Sequence, residues 1–287
     1  MSSLTHTIAI QGELGSNHHI VCTKLFPKTS LNVLCATSFL ELFSAIQTGK
    51  ANLAIMAIEN TIAGSIAGNY DLLGTSSMRV VSEAYLHVHH CLIGLPKTIL
   101  KQIKVVYSHE MALKQCGEFL AKHNIEAREF YDTAGAVTHV QKLGNPSIAA
   151  IAPEQTARLH QMEVIEKDIE TNHHNFTRFL VITSKKSALT EINLTQSPHQ
   201  KIMVELELQH KPGTLAKVLI LLASHHCNLT KIESRPIIKK PWEYKFYLEF
   251  IVDIRVLSPK KIIQDLKRCA HQLHLFGIFT PGRNFEP

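Results

Sequence analysis

Apolar and polar positions along the chain fall into three regimes. In the first, short apolar runs at 7–11, 32–36 and 52–58 alternate with helical patterns, chiefly 38–48, in the βα rhythm of a mostly parallel sheet. The third run is almost continuously apolar, as strands covered on both faces are. GELGSNHH, after the first run, reads as a turn that opens a helix carrying Ile20, Val21, Leu25 and Phe26. After Gly74 the register changes: 80–85 and 87–95 read as consecutive strands. They are followed by strand 104–107, helix 111–123, strand 127–131, helix 134–143, strand 148–152 and a helix beginning at Pro153. A polar, weakly patterned stretch from 184 to 200 reads as a linker. Beyond it the pattern predicts strand 201–208, helix 215–224, strands 228–235 and 244–253, helix 258–271 and strand 275–279. That βαββαβ order is the ferredoxin-like arrangement.

Two polar clusters sit where apolar strands begin or end. In NHHNFTRFLVI (172–182), Asn175 offers an amide, Thr177 a hydroxyl and Arg178 a charged fork suited to carboxylates, at the mouth of the strand begun by Phe179. The plain alternative is a loop whose Thr and Asn brace backbone and whose Arg is solvated. In ENTIAGS, Glu59, Asn60, Thr61 and Ser65 follow the buried run 52–58, and Gly64 and Gly68 loosen the backbone. A ligand turn at a strand's C-terminal end fits this, as does a helix cap with a solvated Glu. An internal echo supports two equivalent lobes: Gly49 precedes Glu59-Asn60-Thr61 by ten residues, and Gly144 precedes Glu154-Gln155-Thr156 by ten. Two lobes with polar turns facing one cleft would suit a small anionic ligand, with 175–178 at the hinge where the chain returns to the first lobe.

Bulk properties narrow the classes. A chain of 287 residues predicts about two domains. The net charge of +6 comes from scattered Lys and Arg with no basic run, which favours anionic small substrates over nucleic acid. Six cysteines without CxxC spacing fit reduced thiols in the cytoplasm. No apolar run approaches the ~18 residues of a membrane span, and the first residues lack a signal-peptide pattern. Eighteen histidines include doublets at 18–19, 89–90, 173–174 and 225–226, but adjacent residues diverge and no HExxH or Cys/His set occurs, so no metal is expected.

IENTIAGS (58–65), HCL (90–92), SHEMALKQC (108–116), DTAGAV (132–137), NFTRF (175–179), PGTL (212–215) and ESRP (233–236) occur in an order and spacing that resembles prephenate dehydratase joined to an ACT regulatory domain. The resemblance implies a two-lobed, periplasmic-binding-protein-like α/β catalytic domain over 1–184 and an α+β ferredoxin-like ACT domain over 201–287. Lobe 1 would comprise about 1–79 and 174–184, lobe 2 about 80–173, with 185–200 as linker. It further implies a hydro-lyase that converts prephenate into phenylpyruvate in phenylalanine biosynthesis without cofactor or metal. Thr177 would lie at the leaving oxygen, with Glu59, Asn60 and His109 as further catalytic groups and His109 as the other proton donor. Thr61, Ser65, Ser108, Thr133, Asn175, Arg178 and Phe179 would hold substrate, Arg178 as carboxylate clamp. L-Phenylalanine would bind as effector at Pro212, Gly213, Thr214, Leu215, Glu233, Ser234, Arg235 and Pro236, in a homodimer or homotetramer formed through ACT domains. The chain departs from the family pattern at Thr61, Glu110, Thr214 and Asn17. Its start leaves no room for the chorismate mutase domain of some relatives, which predicts a monofunctional chain. Arogenate dehydratase and a non-catalytic amino-acid-responsive protein are the alternatives.

Overall fold

In the computed structural model, which describes residues 6–27, 31–187, 197–238 and 240–286, most predicted elements form where the spacing places them. The first stretch gives β1 (His6–Gln11), α1 (Asn17–Leu25), β2 (Leu31–Ala36), α2 (Phe39–Gln47), β3 (Leu53–Asn60), the two-residue β4 (Gly64–Ser65), α3 (Ala67–Thr75) and β5 (Met78–His87). The next gives β6 (Cys91–Gly94), β7 (Val105–Ser108), α4 (Glu110–Gln115), α5 (Gly117–Lys122), β8 (Glu126–Glu129), α6 (Thr133–Leu143), β9 (Ile148–Ala152), α7 (Glu154–His160) and β10 (Glu163–Glu166). The chain returns as β11 (Phe176–Ser184). It continues as β12 (His199–Glu207), α8 (Thr214–Ser224), β13 (Asn228–Ile237), β14 (Lys240–Asp253), α9 (Pro259–Cys269), β15 (Gln272–Phe279) and β16 (Arg283–Phe285). Most of the expected linker, 188–196, lies outside the described residues.

Local chemistry accounts for the element limits. Ser38 caps α2 by accepting from the Glu41 amide, and the helix buries Leu42, Phe43, Ala45 and Ile46. Asp132 caps α6 through the Gly135 amide, and Gly144 ends it in the left-handed conformation. The expected helix 111–123 is instead two short helices broken at Cys116. The carbonyl of Gln115 accepts the Thr171 amide at 2.9 Å, a partner from another part of the chain competing with the helical pattern. No periodic apolar signal announced α3, β10 or β16.

By packing, the chain divides into one unit of residues 1–69, 84–179 and 284–287 and another of 70–83 and 180–283. Strands β5 and β11 run through the division. Among the described residues three sheets form. One has the order β16-β5-β11-β3-β1-β2, with β4 on β3 and with β1 parallel to both β2 and β3. The second, β10-β6-β9-β7-β8, is parallel at β9-β7-β8 and antiparallel at β10-β6-β9. The third is the antiparallel β13-β14-β12-β15 expected of the ferredoxin-like domain, covered by α8 and α9 and packed on Val204, Leu206, Val218, Phe250, Ile262 and Leu266.

Within the first unit the turn after β1 is latched to the second sheet's helices. Asp132 accepts the Glu13 amide at 3.2 Å, Thr138 donates to Glu13 Oε2 at 3.3 Å, Tyr131 donates to Glu13 Oε1, and Thr156 donates to the Gly15 carbonyl at 2.9 Å. Gly15 has φ +94°, and a Cβ there would lie 2.9 Å from Thr156 Cα, so the close approach requires glycine. Cys22, Cys91 and Cys116 are buried, which pushes Cys22 up to about 12, Cys91 up to about 11 and Cys116 higher still. Among the described residues no helix is long and apolar enough to cross a membrane.

In the second unit a buried ion pair ties β5 to β12. Lys201 Nζ lies 2.7 Å from Glu83 Oε1, with side chains 5% and 0% exposed, and Glu83 also accepts the Gly282 amide at 3.0 Å. Lys201→Met leaves the carboxylate buried without its cation, and should lower unfolding free energy by about 3 kcal/mol in urea titrations. Unchanged stability would show that the pair contributes nothing.

Candidate active site

The end of β3 and the start of β11 meet through one side chain. Asn60 Nδ2 donates to Asn175 Oδ1 at 2.7 Å, to Thr177 Oγ1 at 2.9 Å and to the Phe176 carbonyl at 3.2 Å. Its Oδ1 accepts the amides of Ile62 and Ala63 at 3.0 and 2.9 Å, which shapes the turn of ENTIAGS. Because Thr177 Oγ1 accepts from Asn60, its own proton is directed to a further partner. The polar chain continues inward: Asn175 Nδ2 donates to Gln115 Oε1 at 3.1 Å, and His90 Nε2 donates to the same oxygen at 2.7 Å. His90 is 3% exposed, its Nδ1 has no hydrogen-bond partner, and burial lowers its pKa. Arg178 is buried at the same strand mouth, 3.7 Å from Glu59 Oε2 and 5.9 Å from the Tyr85 ring.

The remaining expected site residues are placed as follows. Thr61 is exposed, but its hydroxyl donates to the His174 carbonyl at 3.0 Å and accepts the Phe176 amide at 2.9 Å, so it braces the turn against β11. Ser65 is half-buried in β4, opposite Glu59. Ser108 is buried, and its hydroxyl donates to the Ile151 carbonyl at 2.6 Å. His109 is the exposed cap of α4. Its Nδ1 accepts the Met111 amide at 3.2 Å, which leaves Nε2 as the donor of the neutral ring. Thr133 is half-buried as the first residue of α6. Phe179 is 1% exposed and packs edge-on against His18 at 5.0 Å, a core contact.

Sequence reading missed Gln115, His90 and His18. The first two lie within SHEMALKQC and HCL, segments that sequence reading singled out without giving these side chains a role. His18 accepts the Ala57 amide at 3.3 Å, and burial lowers its pKa to about 3, so it is a neutral core histidine. The Gly49/Gly144 echo places each polar triplet at or just after the end of a strand, but the chemistry differs. Glu154 pairs with Arg158 at 2.8 Å and Lys167 at 2.9 Å. That group lines a cavity of about 680 Å³ with Ile20, Lys24 and Cys91, apart from Thr177 and Asn60, and two of its cations are already committed to Glu154. Histidines and carboxylates of metal-ligand type gather beside β11 at His87, His89 and Glu286, and at His89, Asp168 and Glu170.

In the second unit, Gly213 caps α8 with φ +81° and opens on a cavity of about 310 Å³ lined by Gln209, Lys211, Thr214, Leu215, Tyr244 and Phe246. Thr214 Oγ1 donates to the carbonyls of Gln209 and Lys211, both at 3.0 Å, and so braces the loop. Pro212 is exposed beside Gly213. Glu233, Ser234, Arg235 and Pro236 lie on the edge strand β13 and do not line this cavity. Arg235 bonds Asp71 at 2.9 Å, and Glu233 lies 3.3 Å from Lys231.

The prephenate dehydratase family model matches residues 8–187. The chain belongs to that family. An ACT domain model matches 202–271. Among characterised members, the bifunctional chorismate mutase/prephenate dehydratase of Escherichia coli K12 is 30% identical over 98% of this chain and 72% of its own. Arogenate dehydratase/prephenate dehydratase 1 of Arabidopsis thaliana is 30% identical over 95% and 71%. The solved prephenate dehydratase of Staphylococcus aureus aligns over 96% of this chain and all of its own, with TM-score 0.77 and 25% identity. GqqA, described as a quorum-quenching acylase, shares the fold with TM-score 0.84 and 24% identity over 96% and 98%.

Within a prephenate dehydratase, Asn60→Asp keeps the acceptor for the turn but replaces the NH2 donor with an oxygen facing Asn175 Oδ1 and Thr177 Oγ1. Dehydratase kcat should fall roughly 10²-fold, the scale of one preorganised donor. Near-normal kcat would detach Asn60 from the reaction.

Proposed function

We propose that this chain catalyses the decarboxylating dehydration of prephenate to phenylpyruvate in phenylalanine biosynthesis, in the cytoplasm, under regulation by L-phenylalanine. Family membership supports the reaction class. The residue assignment is carried by the hydrogen bond from Asn60 Nδ2 to Thr177 Oγ1, which turns the threonine into an oriented donor. The bond from the ring to its carboxylate breaks and releases carbon dioxide, and its electron pair enters the ring. The opposite C–O bond breaks, hydroxide departs and takes up a proton as water. Aromatisation supplies much of the driving force, so the protein aligns the carboxylates and steadies the departing oxygen. A threonine without an activating base is a weak acid, and Thr177 acts as a hydrogen-bond donor to the leaving oxygen. Arg178, a planar guanidinium held at the same strand mouth, clamps a substrate carboxylate. His109, with Nε2–H available, is the other proton donor.

The second reading is arogenate as substrate, supported by the Arabidopsis relative that carries both names. For regulation, Gly213 supplies a helix N-terminus on an open cavity, suited to an amino-acid carboxylate. The edge strand β13 and the exposed Ile232, Ile238 and Trp242 suit a second copy, with effector between paired ACT domains.

Thr177→Val preserves shape and removes the donor. Assays with prephenate and with arogenate, detecting phenylpyruvate and phenylalanine separately, should show kcat lowered roughly 10²-fold or more on the preferred substrate. A folded variant with near-normal kcat moves the role to His109, and turnover of neither substrate by the unaltered chain favours a binding protein.

Calorimetry should detect L-phenylalanine binding that Gly213→Val abolishes while effector-free activity survives, because the substituent enters a site with φ +81°. Unchanged binding would place the effector elsewhere.

A further inference from the structure

Beside the Thr177 strand, three ligand atoms converge without a proton assigned between them. His87 Nε2 donates to the His173 carbonyl at 2.6 Å, so in the neutral ring Nδ1 carries the lone pair. Burial opposes protonation of that nitrogen, but the His173 carbonyl and Glu286 outweigh it and raise the pKa, and a cation bound at Nδ1 takes the place of that proton. His89 Nδ1 lies 2.9 Å from Glu170 Oε1 and 3.0 Å from Asp168 Oδ1, so Nδ1 is protonated and Nε2 carries the lone pair. The two lone-pair nitrogens face each other at 3.2 Å, and His87 Nδ1 is 3.0 Å from Glu286 Oε2. A proton on His87 Nδ1 is shared between these two contacts, whereas a divalent cation serves all three ligand atoms directly.

The spacing suits such a cation. Zinc–ligand bonds of about 2.0–2.1 Å in a tetrahedral site place neighbouring ligand atoms about 3.3 Å apart, close to the 3.0 and 3.2 Å found. The outer partners are also those of a metal site: a backbone carbonyl orients one imidazole and two carboxylates orient the other. Glu170 is fully buried and is itself fixed by the His90 amide at 2.9 Å. His89 and Asp168 line the cavity of about 680 Å³, which provides an entry path.

We propose that His87 Nδ1, His89 Nε2 and Glu286 Oε2 form a site for one divalent transition-metal ion of the zinc class, with a fourth position left to water. The ion draws the segment after β16 onto the end of β5. There the His87 ring stacks on Phe176 at 4.4 Å, next to Thr177.

The test uses the full chain without an affinity tag, treated with a chelator and titrated with Zn²⁺ by calorimetry and with Co²⁺ by visible absorption. One ion per chain is expected, with the absorption bands of a four-coordinate N/O site and a rise in Tm on Zn²⁺ addition. His87→Ala and His89→Ala should lose that binding, and Asp168→Asn should weaken it about 10- to 100-fold. Glu286→Gln alters a side chain 74% exposed, so the fold should tolerate it, and it should still weaken Zn²⁺ and change the Co²⁺ spectrum. No stoichiometric ion, or binding undiminished in His87→Ala or Glu286→Gln, overturns the proposal.

Discussion

One amide group holds the reactive end of the first unit together. Asn60 projects from the last residue of β3, and its two polar atoms do different work: the oxygen gathers two backbone amides of its own turn, while the nitrogen reaches across to β11. Each bond contributes about 1 kcal/mol to stability. Their larger effect is on direction, since Asn175, Phe176 and Thr177 are oriented from one point. The deeper members of the chain, Gln115 and His90, fix Asn175 from behind. The break between α4 and α5 belongs to the same arrangement, because Thr171 takes the carbonyl of Gln115, the residue whose side chain supports Asn175.

Much of this was legible because it depends on local periodicity. An apolar run such as 52–58 has few options other than a strand covered on both faces, and a polar turn at its end is then exposed to a cleft. Asp132 and Ser38 are helix caps whose chemistry is written within four residues. What sequence did not reveal depends on partners far along the chain. The hydroxyls of Thr61 and Ser108, expected beside substrate, each donate to a carbonyl of another segment, a partner that no local pattern specifies. Nothing near Phe179 signals that its ring packs on His18. The histidines illustrate the same limit. The His89–His90 doublet does not disclose that the neighbour of His89 in space is His87, two residues away, with rings 4.1 Å apart.

Polar contacts around Glu13 and Asp132 join the two sheets of the first unit. Burial raises the pKa of Asp132, against the amides of Gly135 and Glu13 that favour its charged form. Leu92, Val106, Leu113, Cys116 and Ile151 belong to one buried apolar cluster of that unit.

Burial of the thiols confines sulfur reactivity to the periphery. A cysteine held far above neutral pH carries almost no thiolate, so oxidants and alkylating reagents find little to attack at Cys22, Cys91 or Cys116. Cys227 is half-buried and also raised, to about 11. Of the six, Cys35 and Cys269 are exposed, one in each compact unit. Each compact unit thereby offers one exposed thiol at which a fluorescent label can be attached with no residue of either core replaced.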